Sequence, residues 1–314
     1  YPSEKISLRS ATADNVVIID ETGGRSRVIG EMDRPGAKEL IFDDAVYIHL
    51  GRQYIVRKLD IENRTCHVSE KDVDYWTDAV VKTDIEVLTE DERYVLGSED
   101  ERAMIGREGA ALAECALGDV LVRTQAEKFK KLRFHSHENI GYGEISLPPE
   151  EMQTRAFVLL LGPATRGGNA LAPGGVEGDA ALEAAVLAGA ARLIHDMAPA
   201  FLMCDPRDIG RAERIRDPHF LVPAVYFYDK YPGGTGLAEA LSRLAGRVVT
   251  AAAERLSRCG CGAGCPSCVG VDFAAAGVSA VRGPVSTIDG SLVKRRVASL
   301  LAALSRGNGD GGGA

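Results

Sequence analysis

Four cysteines fall within ten residues, Cys259-Gly260-Cys261-Gly262-Ala263-Gly264-Cys265-Pro266-Ser267-Cys268, and no other segment constrains the chain as tightly. The interleaved glycines let the backbone turn sharply enough to gather four sulfurs around one ion. Cys265-x-x-Cys268 has the spacing of a zinc knuckle, and the tighter Cys259-x-Cys261 pair can still face the same tetrahedral centre. Spacing therefore favours one Zn2+. An iron–sulfur cluster also takes four thiolates, but its familiar ligand runs are spaced differently. With thiolates in all four positions there is no place for water or substrate, so the expected zinc is structural and pins this loop.

The remaining composition narrows the setting. Seven cysteines without a basic-then-apolar leader point to reduced thiols and a cytoplasmic protein. No run approaches the roughly 18 consecutive apolar residues of a membrane span, so no membrane partner is expected. At 314 residues two domains are expected, and 45% apolar with 26% charged residues is the balance of a folded chain. A net charge of −8 excludes a surface that is basic throughout, so any nucleic-acid contact must be local. The chain begins at Tyr1 rather than methionine, which reads as a piece of a longer protein.

Short β-branched and aromatic runs mark the first ninety or so residues: Val16–Ile19, Ala45–Leu50, Tyr54–Leu59, Thr65–Val68 and Ala79–Val81. Turn residues separate them, among them Asp33-Arg34-Pro35-Gly36, so residues 1–92 read as a small β-rich, barrel-like domain. Residues 93–306 read as an α+β tetracysteine zinc-binding domain, and the glycine-rich 307–314 as a disordered tail. In the second domain, Glu101–Leu117 is alanine-rich and helical in spacing. Strands follow at Asp119–Gln125, Lys131–His137, Gly143–Leu147, Thr154–Leu161, Ala200–Cys204 and Pro223–Tyr228. A glycine- and proline-rich loop covers 162–178, and helices cover Ala180–Met197, Gly236–Arg258 and Ser291–Leu304. The fold class is α+β.

Two further segments are candidate nucleic-acid contacts. Lys128, Lys130, Lys131, Arg133, His135 and His137 form the most basic stretch. In a strand, Lys131, Arg133, His135 and His137 would share one face while Leu132 and Phe134 point to the core. A phosphate backbone would explain that face, and so would ordinary solvation. Gly233 and Gly234, in Tyr231-Pro-Gly-Gly-Thr-Gly236 ahead of a helix, could present amides to a phosphate, or could simply form a turn that needs positive φ. Val16-Val-Ile-Ile-Asp20-Glu21 has the look of a magnesium-holding strand, but no GxxxxGK[ST] loop accompanies it, so the chain alone is not expected to hydrolyse ATP. No GxSxG elbow is present for a hydrolase. Cys66, Cys115 and Cys204 stand apart and read as small core hydrophobes.

Taken in order, Phe134-His-Ser-His-Glu-Asn-Ile-Gly-Tyr-Gly-Glu-Ile145, Phe201-Leu-Met-Cys-Asp-Pro-Arg-Asp208, Tyr228-Asp-Lys-Tyr-Pro-Gly-Gly-Thr-Gly-Leu237 and the cysteine cluster resemble the region that follows the motor in MrfA/YprA-type superfamily-two DNA helicases. The resemblance implies a C-terminal zinc module with Cys259, Cys261, Cys265 and Cys268 as ligands. It further implies a parent protein that moves 3′ to 5′ on single-stranded DNA with ATP, in DNA repair, on RecA-like motor domains that this sequence lacks. A second hypothesis, motivated by the acidic charge, is a zinc-stabilised protein-interaction scaffold working with a separate helicase.

Overall fold

Alternation makes Asn15–Asp20 a strand, β1, with Val16, Ile18 and Asp20 inward. The computed structural model describes residues 14–96, 113–162, 180–271 and 288–306. The chain divides into two compact units, 1–84 with 122–151 and 85–121 with 152–314.

In the first unit β1 joins β2 (Arg27–Asp33), β3 (Val46–His49), β4 (Arg52–Asp60) and β5 (Thr65–Glu70) in a sheet ordered β2-β1-β5-β4-β3. The β1/β5 pair is parallel, with Ile18 opposite Cys66. Helix α1 (Arg34–Leu40) begins with a proline in its first turn, where the missing N–H is not needed. Arg34-Pro35-Gly36, read from the sequence as a turn, is thus the start of this helix. The core gathers Ile18, Ile41, Phe42, Tyr54, Val56 and Phe129. Phe129 belongs to β8 (Ala113–Arg133), whose last residues form an antiparallel hairpin with β9 (Asn139–Glu144). Gly143 opposes Phe129, and any Cβ there would lie 2.2 Å from the ring, so only glycine lets Phe129 cross the strand into the core. Strand β6 starts at Tyr75 in this unit and runs to Val87.

The second unit is built on β10 (Glu150–Leu161), β12 (Ala224–Asp229), β11 (Ile209–Arg214), the first part of β8, and β7 (Glu92–Val95), which pairs with β8. Continuous apolar runs mark its central strands, and every residue of β12 is buried. Helices α2 (Ala180–Leu202), α3 (Leu237–Ser257) and α4 (Gly290–Arg306) supply Leu187, Ile194, Leu241, Val248, Val297 and Leu301 to the core. By length and composition α2 could cross a bilayer, yet half of its most apolar window is buried here.

Several expectations are corrected. The single boundary near residue 92 is replaced by crossings after residues 84, 121 and 151, because β8 runs through 21 residues and serves both units. Asp119–Gln125 and Lys131–Arg133 are parts of that one strand. Ala113–Leu117, read as helical, pairs with β7, with Leu117 opposite Glu92. Burial of Ala113, Cys115, Ala116 and Leu117 outweighs alanine's helical preference. Ala200–Leu202 is the end of α2, not a strand, and Met203 then takes a left-handed φ of 52°. Residues 97–112, 163–179 and 307–314, which hold the rest of the alanine-rich segment, most of the glycine–proline loop and the tail, lie outside the described residues.

Candidate metal centre and nucleic-acid interface

The cysteine loop starts where α3 ends. Cys259 N donates to Leu256 O at 3.1 Å, so the first cysteine leaves directly from the last turn. The second half is a tight knuckle: Cys268 N and Gly270 N both donate to Cys265 O, at 3.0 and 3.1 Å. Gly264 and Gly270 adopt φ of 101° and 93°, which side-chain-bearing residues resist. The sulfurs of Cys259 and Cys261 are 3.5 Å apart, Cys259 and Cys265 3.7 Å, Cys261 and Cys268 3.5 Å, and Cys265 and Cys268 3.5 Å. A tetrahedron with Zn–S bonds of about 2.3 Å has edges of about 3.8 Å. All four sulfurs lie within 4.8 Å of one another and fit that tetrahedron without rearrangement.

Three basic side chains from three helices grip this loop. Lys294 of α4 donates from Nζ to the carbonyls of Cys259 (2.7 Å) and Cys261 (2.5 Å) and sits 3.3 Å from Cys261 Sγ. Arg255 of α3 donates to Ser267 O at 3.0 Å, and Arg192 of α2 donates to Pro266 O at 2.9 Å. Gly189 of α2 faces Val297 and Val269, where an added Cβ would stand only 3.1 and 3.3 Å from their atoms. Nothing in the sequence singled out these residues, since Lys294 is 26 positions beyond the last cysteine. A zinc bound by four thiolates carries net negative charge, and Lys294 places a cation against it. Outer partners of this kind tune metal affinity by roughly 10–100-fold. Lys294→Met is therefore expected to weaken zinc retention by about that factor in a chelator competition, and Lys294→Arg to recover part of it.

The basic stretch departs from its expected geometry. A bulge between Lys131 and Leu132 breaks the alternation, and the strand ends at Arg133. His135 and His137 lie in the following turn, where His137 has φ 56°, so they do not extend a shared face with Lys131. Ala126 and Phe129, rather than Leu132 and Phe134, are the buried residues. Arg133 pairs with Asp74 at 2.5 Å, which offsets its charge. Lys128, Lys130 and Lys131 make no ion pair among the described residues. Aromatic rings surround them. Lys128 Nζ stands 5.7 Å from the Tyr142 ring centre and Lys131 Nζ 5.7 Å from that of Tyr75. Trp76 packs against Phe134 at 5.6 Å and His137 at 5.2 Å. Tyr142 is 62% exposed. Tyr75, Trp76 and Tyr142 also belong to this surface, and strand pairing rather than any spacing in the sequence joins them to the lysines.

Gly233 and Gly234 are corrected as phosphate contacts. Gly233 N already donates to Gln153 O and Gly234 N to Tyr231 O, at 2.9 and 3.0 Å. The helix amides beyond them are taken by Asp229, which is 1% exposed and accepts from Thr235 N, Thr235 Oγ1 (3.0 Å), Leu237 N (3.2 Å) and Ala238 N (2.8 Å). Their φ of 77° and 82° identifies the glycines as turn residues. The acidic pair after β1 is likewise a turn, in which Asp20 accepts from Thr22 N (2.9 Å) and Oγ1 (2.5 Å) and Glu21 meets His67 at 2.8 Å. Burial pushes the thiols of Cys66 and Cys115 up to about 12, as befits core residues, whereas Cys204 is only half-buried.

Residues 190–269 match the MrfA Zn-binding domain family, so the second unit contains a zinc-binding domain and its tetracysteine loop is the zinc site. Over nearly its whole length the chain is similar to the C-terminal region of MrfA/YprA-type helicases. It is 34% identical over 306 residues to the uncharacterized ATP-dependent helicase YprA of Bacillus subtilis, a match covering 97% of this chain and 36% of that protein. It is 23% identical over 292 residues to the ATP-dependent helicase HRQ1 of Saccharomyces cerevisiae, covering 87% of this chain and 24% of that one. Among solved structures, the DUF1998 helicase MrfA bound to DNA aligns with TM-score 0.64 and 33% identity, covering 97% of this chain and 36% of that chain. The chain thus spans about a third of these proteins or less.

Proposed function

We propose that this chain is the DNA-holding accessory region of an ATP-dependent 3′ to 5′ DNA helicase acting in DNA repair in the cytoplasm, with RecA-like motor domains of the same protein supplying ATP hydrolysis. The observation that carries the reading is the β8–β9 hairpin, where Lys128 and Lys130 stand on the side of Tyr142 and Lys131 stands beside Tyr75, next to Trp76. Unpaired lysines attract a phosphate backbone, and an exposed ring offers a stacking surface that any base can use. That combination suits single-stranded DNA held without sequence preference. Similarity to a helicase crystallised with DNA supports it. The zinc is structural: it fixes the loop joining α3 to the rest of the second unit and takes no part in chemistry.

Binding to single strands should weaken linearly with log salt, with a slope of about 0.7 per phosphate contacted. Neutralising Lys128, Lys130 and Lys131 to glutamine should reduce that slope by about 2, read by fluorescence anisotropy with labelled oligothymidine. Tyr142→Ala should cost about 1–3 kcal/mol, as for loss of one stacked base. Unchanged binding in both variants would remove the hairpin from the interface. The scaffold reading draws on the net charge of −8; it would be favoured by a chain that binds no oligonucleotide yet co-purifies with a separate motor subunit.

A further inference from the structure

A second basic surface lies within the zinc-binding domain, away from every residue singled out in the sequence. It is a cleft of about 410 Å³ between α2 and the β11–β12 edge, lined by Arg192, His195, Arg211 and Lys230, with Asp196 at its side. From it we infer a phosphate-binding cleft that receives the sugar–phosphate backbone of single-stranded DNA, held in shape by the zinc loop. This rests on the reading that the chain binds single strands.

The charges are arranged so that the acids orient the arginines without occupying them. Arg211 meets Glu213 through Nε at 2.6 Å, and Arg192 faces Asp196 through Nε at 3.7 Å. The Nη side of Arg211 is left for other partners, and that is the fork suited to phosphate oxygens, whereas Arg192 keeps only Nη1 for the cleft because its Nη2 donates to Pro266 O. Lys230 is exposed and has no side-chain partner among the described residues. Burial raises the pKa of Glu213, while Arg211 beside it pulls in the other direction. His195 is fixed by Ile209 O at 3.0 Å from Nε2. At Gly210 any Cβ would lie 2.1 Å from the Tyr228 ring, so glycine there lets that ring lie across β11 as part of the cleft lining.

The link to zinc runs through Arg192. Its Nη2 donates to Pro266 O, and Pro266 lies between the ligands Cys265 and Cys268. The metal knuckle therefore sets where one guanidinium of the cleft stands. An open cleft with cations on its walls suits a polyanion passing through, not an enclosed metabolite.

The test uses the zinc-loaded 314-residue chain and labelled oligothymidine across a salt series. Lys230→Gln touches a side chain without a partner and should leave folding and zinc content intact. It is expected to reduce the salt slope by about 0.7, and Lys230→Gln with Arg211→Gln by about 1.4. In the unmodified chain, oligothymidine should slow amide exchange at Ile209–Arg214. Unchanged slopes together with unprotected β11 amides, while the β8–β9 lysine variant still loses binding, would overturn the cleft and leave the hairpin reading standing. A parent chain that binds no oligothymidine at low salt would defeat both.

Discussion

Cys268→Ala is expected to strip the chain of its zinc and abolish cooperative unfolding of the second unit. Cys268 is fully buried, its sulfur lies 3.5 Å from those of Cys261 and Cys265, and it accepts Cys265 N at 3.2 Å. The next residue, Val269, is 4% exposed and packs into the same core as α2 and α4. Losing one ligand therefore releases the loop and the valine that it holds in the core. Structural zinc sites of this kind contribute about 10–16 kcal/mol of apparent binding energy, as much as the roughly 5–15 kcal/mol by which a whole domain is stable. Metal content by mass spectrometry and a calorimetric scan would read the loss. Cys66→Ala, at a buried cysteine of the first unit, should keep its zinc and cost only the small amount of a trimmed core side chain. Equal zinc content in the Cys268 variant would refute the ligand assignment.

The second large effect concerns Asp229. Its buried carboxylate is the cap of α3, which otherwise begins after Gly236 in a left-handed conformation with no side-chain cap of its own. Asp229→Ala would leave four donors, from Thr235, Leu237 and Ala238, facing an empty space. A lost cap costs about 0.5–2 kcal/mol, and each buried donor without a partner about 1–3 kcal/mol. Some donors will find water, so the expected loss is about 3–5 kcal/mol, at the upper end for a point substitution. Asp229→Asn keeps one acceptor oxygen and should lose about half as much. Urea unfolding should show a lower midpoint with an unchanged slope. A loss of stability below about 1 kcal/mol would mean that the turn, not the carboxylate, holds the helix start.

Much of this was legible because it was local. The cysteine cluster, β1, β4, β5, α3 and α4 each carry their pattern within a short window, and their positions agree closely with expectation. Elements set by partners were not legible. β2, with Gly30 and Glu31, and β11, with Arg211 and Glu213, are polar strands that exist because β1 and β12 offer them hydrogen bonds. β8 was split in two because Glu127-Lys128 interrupts its apolar run, although pairing with β9 carries the strand through. The interleaving of the two units follows from that one long strand. Lys294, Arg255 and Arg192 reach the zinc loop from three helices, and no spacing rule connects them to the cysteines. The glycines at 233 and 234 looked like an anion site because the sequence does not reveal that Asp229 already fills it.

Native mass spectrometry of the purified chain mixed with oligothymidine tests the central claim most directly, since one spectrum reads metal and nucleic acid together. The expected result is a chain carrying a single zinc, and a further peak for that chain with one oligonucleotide that fades as ammonium acetate is raised. A zinc-loaded chain that forms no oligonucleotide complex at about 100 μM, the weak end of non-specific binding, would contradict the account.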